Sequence, residues 1–72
     1  MNSEPGYDLV VMRGRHRTYV AGESAKGKEF LTVNYVCGEN NVLAISAEHT
    51  DELVEDLEKE GLIVKVKWSG SA

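Results

Sequence analysis

Three side chains of this sequence could exchange a proton or act as a nucleophile near neutral pH: His16, Cys37 and His49. They fall in separate segments, and nothing in their spacing pairs a nucleophile with a base or completes a metal centre. Cys37 is in phase with the core side of its segment, where a thiol is buried and inert. His49 stands at a helix entry and is expected to help the cap. No catalytic residue, cofactor or metal ligand is assigned, and an enzyme is not expected.

A second chemistry is suggested by "GESAKGKE" (22–29), in which Gly22, Gly27 and Lys28 match the spacing of a phosphate-binding loop. That motif requires Ser or Thr next, to hold magnesium, and a helix whose N-terminal N–H groups cradle phosphate. Here Glu29 follows, and the continuation reads as a strand. "GESAKGK" (22–28) is therefore read as a Gly-bounded polar loop.

Two charged stretches could bind rather than react. From Leu9 to Lys28 the chain carries Arg13, Arg15, Arg17, Lys26 and Lys28 against Glu23 alone, whereas Glu48–Glu60 holds seven carboxylates against Lys59. The net charge of −4 thus conceals a dipole that can orient a partner at encounter. "RGRHR" (13–17) at a hairpin tip could grip phosphates with Arg13, Arg15 and Arg17, with Lys26 and Lys28 extending the patch if their loop lies at the same end. Asp51, Glu52, Glu55, Asp56 and Glu58 would present a carboxylate row to a basic partner. Spaced acids on one helix lack the loop geometry of a calcium site.

These groups must be positioned by a small fold. With 72 residues the chain is expected to form a single domain, burying only roughly 60% of its unfolded surface. Residues 1–6 are expected as a loose arm and 69–72 as a tail. "YDLVVMR" (7–13) and "TYVA" (18–21) read as a hairpin around "GRHR". "EFLTVNYVC" (29–37) alternates as a third strand, "GENN" (38–41) as a turn, and "VLAIS" (42–46) as a fourth strand. Leu53, Val54 and Leu57 then mark an amphipathic helix, with Ser46 or Thr50 as its cap and Gly61 as its left-handed terminus. "LIVKVKW" (62–68) is the last strand, with Leu62, Val64, Val66 and Trp68 on one face and Ile63, Lys65 and Lys67 on the other.

The expected class is α+β. A mostly antiparallel sheet of four to five strands would carry one helix on one face, in the order β-β-β-β-α-β, and the last strand would pair centrally, beside the first or the third. One helix leaves the second sheet face uncovered. Val10, Met12, Phe30, Val36 and Ile63 are candidates for that face, of which Val10, Met12, Phe30 and Ile63 would supply affinity for a partner. The run of a strand, a capped acidic helix, a glycine and a final strand resembles small phage and mobile-element proteins that bind and inhibit host enzymes. That resemblance implies a regulatory or inhibitory role.

The expected function is thus a non-enzymatic protein-interaction module. It would use the acidic helix or the apolar sheet face, with a foreign protein or a second copy of the chain as its partner. The alternative is a small nucleic-acid-binding protein working through the basic turn. A lone cysteine favours a reducing, cytoplasmic location, and no apolar run approaches the roughly 20 residues that span a bilayer. The N-terminal "MNSEPGYD" lacks the basic leader and apolar stretch of a signal peptide.

Overall fold

The computed structural model describes residues 6–38 and 41–68. The expected arm and tail, apart from Gly6, lie outside those residues, as do two positions of the "GENN" turn. Two strands, β1 (Leu9–Arg13) and β2 (Arg17–Gly22), form the hairpin, and helix α1 (Ala25–Asn34) follows. Strand β3 (Leu43–Ser46) runs through a 3₁₀ turn (Ala47–His49) into helix α2 (Thr50–Lys59), and β4 (Val64–Trp68) completes the sheet.

The strands lie in the order β3-β2-β1-β4, with β2 antiparallel to both neighbours and β4 parallel to β1. The α+β class and the mostly antiparallel four-stranded sheet are as expected. The last strand pairs with the first, but at the edge of the sheet.

One element differs in kind. Residues 25–34 are helical, so the segment read as a third strand is mostly α1, and the described residues form two α-helices. The cause lies at the start of the segment. Ser24 is the N-cap: its hydroxyl accepts from the Gly27 N–H at 2.9 Å and donates to Asp8 Oδ1 at 2.7 Å. The Asp8 carbonyl accepts from the N–H groups of Glu23 and Ser24. Its other carboxylate oxygen, Oδ2, accepts from the Ile63 N–H at 2.9 Å. One residue thereby ties together the beginnings of β1, α1 and β4. Gly27 is needed for this closeness, because a Cβ there would fall on the Asp8 carbonyl.

Both helices cover the same face. The register sets Leu9 and Val11 of β1, Val20 of β2 and Leu43 of β3 side by side on it. Leu31 from α1 and Leu53 and Leu57 from α2 join them in one core with Leu62. Only Gly27 and Leu31 of α1 are buried, so the helix is held chiefly by its anchored end. In α2 the buried set Thr50, Leu53 and Leu57 follows the helical period, with acids at the intervening positions.

The ends of α2 divide into one expectation met and one corrected. Gly61 has φ +83°, and the Leu62 N–H returns to the Leu57 carbonyl at 3.3 Å, which terminates the helix as expected. Neither Ser46 nor His49 makes a side-chain cap. Thr50 is the first residue of α2 and is fully buried, with its hydroxyl donating to the Ala47 carbonyl at 2.7 Å. That use of its proton makes Thr18 Oγ1, 2.6 Å away, the donor in the buried threonine pair.

Candidate functional site

The two ends of the sheet are chemically distinct. At one end stand the β1–β2 turn, the 3₁₀ turn, the start of α2 and the end of β4; Ala47 N–H donates to the His16 carbonyl at 3.0 Å. At the other end stand Asp8, Gly22, the start of α1 and Ile63. Lys26 and Lys28 sit on α1 at this second end. They therefore do not extend the patch made by Arg15 and Arg17, from which they are separated by the length of β2.

The basic turn and the acidic helix meet within the chain. Arg13 Nη1 lies 3.0 Å from Asp51 Oδ1, and both side chains retain contact with solvent, so the pair contributes about 0–1 kcal/mol. Asp51 and Glu52 occupy the first turn of α2, where carboxylates suit the positive end of the helix dipole. The row is split between two flanks by the angular spacing of residues around the helix. Asp51, Glu55 and Glu58 border a groove between α2 and Val66 of β4, whereas Asp56 faces Tyr35 on the other flank. Burial, followed by the charges of Asp56 and Glu60, raises the Tyr35 pKa above its usual value of 10.0. His49 lies 3.7 Å from both Glu48 and Glu52.

The face without helices is the most distinctive surface. Pairing places Val10 beside Ala21 and Lys65, Met12 beside Tyr19 and Lys67, and Tyr19 beside Ala44. Arg17 pairs with Ser46 at the end of the same face. Met12 is 38% exposed, Tyr19 42% and Ile63 54%, the last lying just before β4 in phase with Lys65. Val10 is only 8% exposed and offers little area to a partner. Phe30 is not on this face: it lies on α1, packs against the core and sits 6.2 Å from the Tyr35 ring. Val36 is exposed but follows α1 and is not part of the sheet.

Charge therefore separates through the thickness of the sheet. Arg17, Lys65 and Lys67 project from the open face, and the carboxylates of α2 lie beyond the opposite one. Lys65 and Lys67 were not among the contact residues expected from sequence. The phase of Lys65 and Lys67 with Ile63 was readable, but the strand beside β4 was not. Lys65 Nζ lies 5.3 Å from the centre of the Tyr7 ring, a cation–π distance that fixes one end of the lysine row.

The other motifs fall apart structurally. Gly27 and Lys28 are inside α1 rather than in a loop, Gly27 lies against the Asp8 carbonyl, and the Asp8 carboxylate already binds the cap residue. The strand expected after Lys28 is thus replaced by a helix, whose first turn is packed against Asp8. Cys37 is half-buried just after α1, its Sγ 3.8 Å from the Leu31 carbonyl, rather than within a strand. Among the described residues no three His, Cys, Asp or Glu side chains gather as a metal site, and no helix is long and apolar enough to cross a membrane.

Comparison of the chain with protein-family models, with curated proteins and with solved structures finds no match in any of the three.

Proposed function

We propose that this protein is a non-enzymatic interaction module of a reducing compartment whose protein partner docks on the open sheet face. The observation that carries this reading is the exposure of Met12, Tyr19 and Ile63 on a face that neither helix covers. Exposed apolar side chains on one rigid surface supply affinity, while Arg17, Lys65 and Lys67 around them set orientation and association rate. The matching partner presents an apolar patch with an acidic rim. Face-to-face pairing of two copies would bring the same three cations together, so a foreign partner suits the face better than self-association.

A second reading is supported by the gathering of those cations with Tyr19, on which a base could stack. Single-stranded nucleic acid would then be the ligand. The carboxylates lie across the sheet, where they oppose a polyanion less than the net charge implies.

Affinity capture from a lysate of the source organism separates the two readings. The wild type would be compared with Met12→Ser/Ile63→Ser and with Arg17→Ser/Lys65→Ser/Lys67→Ser. A protein retained after nuclease treatment, and lost by at least tenfold with the apolar pair, supports the first reading; the tenfold corresponds to about 1.4 kcal/mol. Recovery of nucleic acid that falls steeply with added salt, and disappears with the triple variant, supports the second. Retention of the partner by both variants removes the open face from consideration. Circular dichroism of each variant checks that the fold survives.

A further inference from the structure

A different surface, the free edge of β4, has the chemistry to bind a peptide. The Leu9 N–H donates to the Ile63 carbonyl at 3.2 Å. In a parallel ladder the bonds alternate evenly along each strand, so Ile63, Lys65 and Lys67 direct their backbone groups towards β1. The N–H and C=O groups of Val64, Val66 and Trp68 then point outward. Among the described residues no strand lies on that side, because β4 ends the sheet.

The surroundings of this edge are specific. Val66 is 45% exposed and Trp68 63%, and both lie on the helix side of the sheet. Above them the groove of ≈ 580 Å³ between α2 and β4 is walled by Glu55 and Glu58, with Val54 and Val66 as its apolar lining. Arg13 neutralises Asp51 at one end of the groove. Glu55 and Glu58 have no ion-pair partner among the described residues. The other edge of the sheet is less open: β3 has four residues, and the carbonyl just before it already accepts from Gly38 N–H at 3.0 Å.

We infer that β4 accepts an extended peptide as a fifth strand, with arginine or lysine at alternate positions of that peptide directed into the α2–β4 groove. Backbone bonds to Val64 and Val66 hold the peptide in register. The aliphatic stems of its basic residues cover Val66 and Trp68, and their charges reach Glu55 and Glu58. The period-two alternation of a strand supplies the selection. A slip by one residue would turn the cations towards the face of Lys65 and Lys67.

A second copy of this chain is the wrong occupant. Antiparallel pairing of two β4 strands about a two-fold axis would put both helix layers on the same side. The Glu55 and Glu58 flanks would then face each other, as would the lysine rows on the opposite side.

The test uses the full chain and fluorescein-labelled seven-residue peptides, read by fluorescence anisotropy. A peptide alternating arginine with threonine should bind, and one alternating glutamate with threonine should not. N-methylation of the arginine peptide at the alternate residues facing β4 keeps its charge and removes its strand hydrogen bonds, so binding should be lost. In the protein, Glu55→Gln/Glu58→Gln should weaken binding roughly 2- to 30-fold, the range for two exposed ion pairs. Val66→Pro removes an outward N–H without touching the β1 ladder and should abolish binding while the sheet persists. If that variant unfolds, the N-methylated peptide still decides the question.

Equal binding of the methylated and unmethylated peptides would overturn the proposal, leaving simple charge attraction. Failure of the arginine peptide to bind at low salt would also overturn it, as would a salt-resistant dimer of the free chain abolished by Val66→Pro. None of these outcomes bears on the open face, since Met12, Tyr19 and Ile63 are not used.

Discussion

The two helices have the same length and cover the same sheet face, but they are held differently. Helix α2 is specified along its side: Leu53 and Leu57 are buried, Val54 is half-buried, and the residues between are acidic. Helix α1 is specified at its end. Its fully buried side chain is Leu31, with Phe30 half-buried beside it, and Ser24, Asp8 and Gly27 fix its first turn against β1 and β4. A helix defined by its side carries its own periodic signature. One defined by its end depends on a residue far away in sequence.

The difference can be tested by damaging each device. Leu57→Ala removes a fully buried side chain from α2 and should cost about 2–5 kcal/mol in denaturant unfolding. A loss well below 1 kcal/mol would show that the stripe is not what holds α2. Gly27→Ala attacks the anchored end of α1. In an unobstructed helix this change stabilises by about 0.8–1.0 kcal/mol. Here the methyl group falls on the Asp8 carbonyl, a backbone atom that cannot easily move, so a loss of roughly 1–3 kcal/mol is expected. A more stable variant would show that α1 does not need its close approach to β1.

Acid should loosen the anchored end selectively. The hydrogen bond from the Ile63 N–H, then that from the Ser24 hydroxyl, hold the Asp8 pKa below its ordinary 3.8, and Lys26 adds a smaller attraction. A carboxyl whose folded pKa is depressed stabilises the fold above its unfolded pKa and loses that contribution as pH falls through the folded one. Asp8→Asn should therefore be less stable than the wild type at pH 7. The two stability curves should converge below pH 3.8, as the wild-type carboxylate is protonated. Parallel urea titrations over that range measure this, and a constant gap between the proteins would show that the ionised form contributes nothing special.

The sequence was legible wherever local pattern and tertiary structure agreed. The β1–β2 hairpin, α2, Gly61 and β4 all carry their own signals: apolar runs about a turn, a helical stripe with acids in its first turn, and a glycine where the chain leaves the helix. "EFLTVNYVC" was misleading because Leu31, Val33, Tyr35 and Cys37 alternate, and β-branched Thr and Val favour a strand. The competing signal was Ser24 placed to cap a helix, but its partner Asp8 is sixteen residues away. Phe30 was misplaced for the same reason, since its position on a face followed from the wrong period. Met12 and Ile63 share the open face because their strands keep the expected alternation. That Lys65 and Lys67 lie beside Val10 and Met12 required the parallel register, which local pattern does not encode.

The junction between Asp8 and Ile63 also has a consequence in time. The two residues are 55 positions apart, so β1 acquires its second neighbour only after nearly all of the described chain has been made. The hairpin and α1 can form from adjacent residues, but closing the sheet with β4 brings together distant parts of the chain, the kind of contact that slows folding. Until then the "LVVM" side of β1 is an open edge. A nascent or partly folded chain therefore passes through an interval in which its most apolar strand can pair with the wrong molecule, and the arrival of Val64–Trp68 ends that interval.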